Sequence, residues 1–142
     1  VPGSDLFALA ERLGIVADVE FQGVVERDGL DALFRRATIF VHPSREESFG
    51  MTLAEAMSYG LPVVGGRRSG GVPDQLKHGE AGILVDVRDP AAIAEAVSSL
   101  LEDERQRKNL GEAARRRILA SYSAETVVRS YMDVYKRAAR SR

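Results

Sequence analysis

Residues 38–66 read T-I-F-V-H-P-S-R-E-E-S-F-G-M-T-L-A-E-A-M-S-Y-G-L-P-V-V-G-G, and the order of their parts decides the fold. Residues 38–41 are a β-branched and aromatic run stopped by Pro43, which predicts a buried strand. A polar turn follows, carrying Ser44, Arg45, Glu46, Glu47 and Ser48. Gly50 then precedes a helix predicted over residues 51–59, and Gly60 closes it as a glycine past the last turn commonly does. L-P-V-V-G-G returns as a second apolar strand that breaks into a glycine loop. Strand, helix and strand in that order predict parallel pairing through a right-handed crossover. Both strands are continuous apolar runs, as expected where helices cover both faces of a sheet.

The flanking segments extend the pattern. Before it, Leu6, Leu9, Ala10 and Leu13 recur at helical spacing after Ser4, and Gly14 closes that helix. Val19, Glu20 and Phe21 are expected to form a short strand ending at Gly23. Residues 28–37 place Leu30, Leu33 and Phe34 on one side of a second helix. After it come a short helix near residues 72–77, a strand in G-I-L-V-D, and a helix from Asp89-Pro90 to about Leu101. Asp89 suits the cap and Pro90 the first helical position. A charged helix over residues 104–121 follows, and Ser123 is expected to cap a last one bearing Val127, Val128, Tyr131, Val134 and Tyr135. The fold class is therefore α/β: a parallel sheet flanked by helices, in a single domain over residues 1–142 whose tail, 103–142, is all helical. That tail must pack on the flank of the sheet or on another body.

Bulk properties narrow the function classes. Twenty basic residues against twenty-one acidic ones give a formal charge of −1, which gives no electrostatic case for a nucleic-acid partner. With no cysteine, disulfide frameworks and thiolate metal sites are excluded, and His42 and His78 stand in no ligand spacing, so no metal is expected. No apolar run approaches the roughly 20 residues of a membrane span. The opening V-P-G-S, without methionine, reads as the start of a piece of a longer chain, and the expectation is a cytoplasmic domain.

In open α/β sheets, ligands bind beyond the carboxyl ends of the strands, at helix N-termini. Here the junctions after Phe21, Val41 and Val64 fit, and the middle one carries most chemistry. Free amides around Gly50, Met51 and Thr52, at the positive end of a helix dipole, suit a phosphate. Glu55 would lie about 6–8 Å along the helix from its first turn, and Glu47 projects from the turn beyond those amides. A carboxylate accepts two hydroxyl donors well, so each glutamate suits a diol, an arrangement that fits a nucleotide-diphospho-sugar. Spacing alone leaves a second reading open: Thr52-x-x-Glu55 also fits a capping box, with Glu47 a solvated turn residue. Met51, Leu53 and Met57 read as core, His42 as a strand-end residue with a satisfied ring, His78 as a surface turn residue, and Arg115-Arg116-Arg117 as a solvated helix face. In G-G-R-R-S-G-G-V-P-D, Gly70 and Gly71 either present amides to a ligand oxygen or form a tight turn, while Arg67 and Arg68 read as surface.

The string P-S-R-E-E-S-F-G-M-T-L-A-E-A-M-S-Y-G-L-P-V-V resembles the signature of retaining glycosyltransferases of family four, which have two Rossmann-like domains in the GT-B architecture. Glu47 and Glu55 match their E-x7-E spacing. The likeness continues in F-Q-G-V, S-G-G-V-P-D-Q-L-K-H-G-E-A-G-I-L-V, D-P-A-A-I-A-E-A-V and the closing Y-M-D-V-Y. It implies the donor-binding, C-terminal Rossmann-like half of such an enzyme. Glu47 would contact the transferred sugar as the catalytic carboxylate. The amides of Phe49, Gly50 and Met51 would hold phosphate oxygens, with Gly70 and Gly71 beside them. Glu55 would bind the ribose, and Val24 and Val25 would lie against the base. No metal cofactor is implied, since amides and cations stabilise the departing diphosphate.

The resemblance also implies partners: a nucleotide sugar, and an N-terminal Rossmann domain that this sequence does not show. Nor does the sequence show the family's early Arg and Lys for the diphosphate; Arg45, Arg67 and Arg68 do not occupy those positions. The expectation is thus little transferase activity from this chain alone, and for a longer protein a peripheral place at the inner membrane face is left open. Two other readings stand beside it. One is a nucleotide-sugar 2-epimerase or sugar phosphorylase of the same architecture, and the other is a non-enzymatic α/β scaffold.

Overall fold

The computed structural model describes residues 5–140. The chain divides into two compact units, residues 1–33 and 34–142. In the first, α1 (Asp5–Leu13) is followed by a 3-10 turn over Val16–Asp18. The strand expected at Val19–Phe21 is not formed. A strand needs a neighbour to take its amides and carbonyls. Val19 instead turns its amide back to the Val16 carbonyl (3.4 Å), and the Phe21 ring packs on Phe7, centroids 5.7 Å apart. α2 (Arg27–Arg36) then leads into the second unit.

The second unit holds a three-stranded parallel sheet, β1 (Phe40–His42), β2 (Val63–Gly66) and β3 (Ile83–Val85), in the order β1-β2-β3. Val41 pairs with Val64 and Val64 with Ile83, which fixes the register across all three strands. Between the strands lie α3 (Met51–Ser58) and α4 (Val72–Gln75), the latter followed by a 3-10 turn over Lys77–Gly79. β1 starts two residues later than the apolar run suggested, because pairing with β2 and not side-chain type sets the strand's limits.

Alternate residues of β2 feed opposite cores. Val63 joins Leu53 and Met57 of α3 and Leu76, while Val64 and Val85 pack with Ala96 and Leu100 of α5 (Pro90–Glu102). This two-faced burial is what the continuous apolar strands required. Met51 departs from its expected place in the core: it is 65% exposed, since the first helical residue projects ahead of the packed turns.

Asp89 caps α5 through the Ala91 amide at 2.9 Å, and Asp103 caps α6 (Glu104–Tyr122) through the Gln106 amide at 2.8 Å. α6 belongs to the core, burying Ala114 and Ile118 against α3 and β2. Arg115 and Arg116 are solvated as expected, but Arg117 is not. Its guanidinium donates to the Asp74 carbonyl (3.0 Å) and to Ser121 Oγ (2.9 Å) and lies 5.4 Å from the Tyr122 ring centre. A helix residue one position away from the solvated face can reach the element beneath it, and only the packing reveals that. α7 (Ala124–Arg140), capped by Ser123 through the Thr126 amide at 3.3 Å, buries none of its residues and leaves Val128, Tyr131 and Tyr135 exposed.

Candidate functional site

The site grows from the turn between β1 and α3. Gly50 is the residue before the helix, at φ +68° and ψ +68°, a left-handed backbone that side chains other than glycine resist. It provides no side chain to cap α3, so the first-turn amides carry no capping bond. These are donors that an anion can take, aligned with the positive end of the helix dipole.

This start also bears on the capping-box reading of Glu55. With Gly50 as the cap, Thr52 is the second helical residue and Glu55 the fifth. A capping box would need Thr52 at the cap itself, so that reading falls. Glu55 is half-buried, and among the described residues its carboxylate has no partner. It stands about 6 Å along the axis from Met51.

Glu47 lies in the turn that precedes those amides, also half-buried. Its Oε2 is 3.4 Å from His42 Nε2, but the two are not aligned for a hydrogen bond, and that ring nitrogen is buried without one. His42 is thus a strand-end residue, stacked on Phe40 at 6.0 Å, whose ring is not satisfied as expected. His78 is exposed, 3.9 Å from Asp74, in agreement with its reading as a surface residue.

The backbone of the turn is held at two points by the loop after β2. Ser69 donates its hydroxyl to the Ser44 carbonyl at 2.5 Å, and Gly71 donates its amide to the Glu47 carbonyl at 2.8 Å. A Cβ on Gly70 would collide with the Glu47 carbonyl, and one on Gly71 with that of Ser48. Of the two roles open to these glycines, close packing is therefore the one Gly71 fills: its amide is already bonded. Phe49 anchors the turn from beneath, its ring edge-on to Tyr122 with centroids 5.2 Å apart. The Phe49 side chain is a brace, which leaves only its amide for a ligand.

Gln75 was missed by the sequence reading. It is 1% exposed, both polar atoms of its carboxamide are unpaired, and its Oε1 lies 3.4 Å from where a Gly50 Cβ would stand. One polar residue on a four-residue helix gives no periodic signal, so nothing in the sequence marked it. Val24 and Val25 belong to the unit of residues 1–33, where Val24 is 96% exposed and Val25 half-buried beside Gly29. Among the described residues no three His, Cys, Asp or Glu side chains gather as metal ligands would, and no helix is long and apolar enough to cross a membrane.

Residues 4–117 match the family described as Glycosyl transferases group 1. The chain belongs to that family. Among the group 1 glycosyl transferases it is 34% identical to the N-acetyl-alpha-D-glucosaminyl L-malate synthase of Bacillus anthracis, over 92% of this chain and 33% of that protein. It is 39% identical to the D-inositol 3-phosphate glycosyltransferase of Corynebacterium kroppenstedtii, over 93% of this chain and 29% of the relative. The sucrose-phosphate synthase of Thermosynechococcus elongatus superposes with a TM-score of 0.85 at 27% identity, over 96% of this chain and 34% of that one. The chain thus spans about a third of the length of these proteins. The parallel sheet with helices on both faces and a helical C-terminal part is that of a GT-B half.

Proposed function

We propose that this chain is the donor-binding half of a retaining glycosyltransferase, and that the turn from Glu47 to Glu55 holds a nucleotide-diphospho-sugar. The observation that carries the proposal is the uncapped start of α3, flanked in sequence by two half-buried carboxylates, with no partner for Glu55 among the described residues. The diphosphate lies on the amides of Phe49, Gly50 and Met51. Glu55 accepts from the ribose hydroxyls, and Glu47 from hydroxyls of the sugar. In the transfer step the bond from the sugar's anomeric carbon to the diphosphate oxygen breaks, its electron pair leaving with the phosphate. The acceptor oxygen bonds to that carbon on the same face, and its proton passes to the departing phosphate oxygen. Charge that develops on the diphosphate is stabilised by donors already in place.

No metal is assigned a part in this step. The reading places the chain in the cytoplasm, with the nucleotide sugar as its small-molecule partner and the rest of a longer protein as its structural one. Such a chain binds donor but turns it over slowly, because groups that act in a transition state must be held to within about half an ångström. Family membership favours transfer over the epimerase and phosphorylase readings, and the absent capping box counts against the scaffold reading.

Calorimetric titration with UDP-, GDP- and ADP-sugars tests the proposal. One of them should bind, and Glu55→Ala should weaken it strongly. If none binds, or if Glu55→Ala leaves the affinity unchanged, the assignment fails.

A further inference from the structure

A cavity lies beside the donor turn, sharing Arg45 of that turn and Ser69 of the loop that holds it. It measures about 210 Å³ and is lined by Arg45, Arg68, Ser69, Asp86, Val87 and Arg88. One arginine comes from each strand-to-helix connection: Arg45 after β1, Arg68 after β2 and Arg88 after β3. Among the described residues none of these three guanidinium groups has a partner. Arg67, by contrast, is engaged with the Leu84 carbonyl at 3.4 Å. Like charges gathered without partners repel one another, and an arrangement of this kind is relieved when an anion enters.

The floor of the cavity is already ordered. Ser69 is buried and joined to Ser44 at 2.5 Å, which ties the first two loops together. Asp86 accepts the Arg88 amide at 3.0 Å, which shapes the third loop without neutralising a guanidinium. Three guanidiniums therefore face one carboxylate, a cationic excess.

We infer that this cavity binds the phosphate group of a phosphate monoester, as a site separate from the one that holds the donor diphosphate. Three guanidiniums drawn from three loops suit the three terminal oxygens of a tetrahedral dianion better than the planar pair of a carboxylate. At about 210 Å³ the cavity lies below the roughly 300–1,000 Å³ of sites that enclose a whole drug-sized ligand, so it receives one group of a molecule and not a nucleotide sugar. Its place beyond the carboxyl ends of all three strands is where open α/β sheets bind ligands.

The test titrates the 142-residue chain with glycerol 3-phosphate, inorganic phosphate and glycerol, with and without saturating UDP. The expected result is binding of glycerol 3-phosphate but not glycerol, unchanged by UDP and by Glu55→Ala, and weakened about tenfold by Arg68→Ala or Arg88→Ala, as loss of a charge-assisted bond implies. Equal affinity in the arginine variants overturns the proposal. So does displacement by UDP, which would place the monoester in the donor site, and so does binding of inorganic phosphate alone, which would make the free ion the ligand. Because the readout does not require nucleotide binding, it stands apart from the test of the donor assignment. The arginines are exposed, so the variants keep the fold; far-ultraviolet circular dichroism checks this.

Discussion

The Gly71 amide donates to the Glu47 carbonyl at 2.8 Å, so the loop after β2 holds the turn after β1 through a backbone bond beside the Ser69 hydroxyl's bond to Ser44. Adjacent Gly70, at φ +52°, has no room for a Cβ against that same carbonyl. Gly70→Ala therefore meets both a strained backbone and a collision. The variant should lose at least about 1–3 kcal/mol of stability, read by urea denaturation, and bind donor nucleotide more weakly because the turn must shift. Unchanged stability and affinity would show that the loop gives way freely.

Thr52 and Glu55 separate the cap reading from the grip reading. Since Gly50 is the cap, Thr52→Ala should change stability by no more than about 0.5 kcal/mol, the range of surface substitutions away from special features. Glu55→Ala should likewise leave the melting temperature nearly unmoved while it removes the preference for UDP over 2′-deoxy-UDP. A large stability loss in either variant would return Glu55 to a structural role.

Gln75 gives the opposite sign from most core substitutions. Its two carboxamide atoms are buried without partners, and leaving a buried polar group unpaired costs about 1–3 kcal/mol. Gln75→Leu, of similar size and without those atoms, should raise the midpoint of thermal unfolding. A fall in midpoint would mean that the carboxamide is bonded in solution.

Phe49 and Arg117 brace the turn through Tyr122: Phe49 lies edge-on to the ring and Arg117 over its face. Phe49→Ala should destabilise by about 2–4 kcal/mol and loosen donor binding, since truncating a packed aromatic leaves a cavity. Arg117→Lys should recover only part of an Arg117→Ala loss, because a single ammonium cannot reach both the Asp74 carbonyl and Ser121 as the planar fork does. Denaturant titration of the three variants measures both effects.

Glu104 supplies the pH dependence. A hydrogen bond from Lys108, reinforced by the charges of Lys108 and Arg107, holds its carboxyl below the ordinary value. A depressed folded-state pKa means that the contribution is present above the unfolded value and is lost as pH falls through the folded one. Fraying at the start of α6 should therefore increase on acidification through that range and be smaller in Glu104→Gln, where the Asp103 cap alone still responds, as amide NMR of residues 104–108 would record. Full exposure keeps the effect small.

Much of this protein was legible in its sequence because the signals were local. Pro43, Gly50 and Gly60 mark element ends by backbone geometry, Asp89 and Ser123 cap helices through their own side chains, and continuous apolar strands announce a sheet covered on both faces. The segment from Glu47 to Glu55 likewise carried its spacing and its free amides in the order of its residues. Tertiary structure decided whatever depends on a neighbour distant in sequence. Val19–Phe21 has strand-forming residues but no ladder, Met51 is apolar but projects ahead of the core, and Arg117 looks solvated yet reaches Asp74. The unpaired carboxamide of Gln75 beneath Gly50, and the three arginines gathered from separate loops, exist only once the sheet is assembled. A backbone preference is a property of a few consecutive residues, whereas burial, pairing and charge proximity belong to residues that only folding brings together.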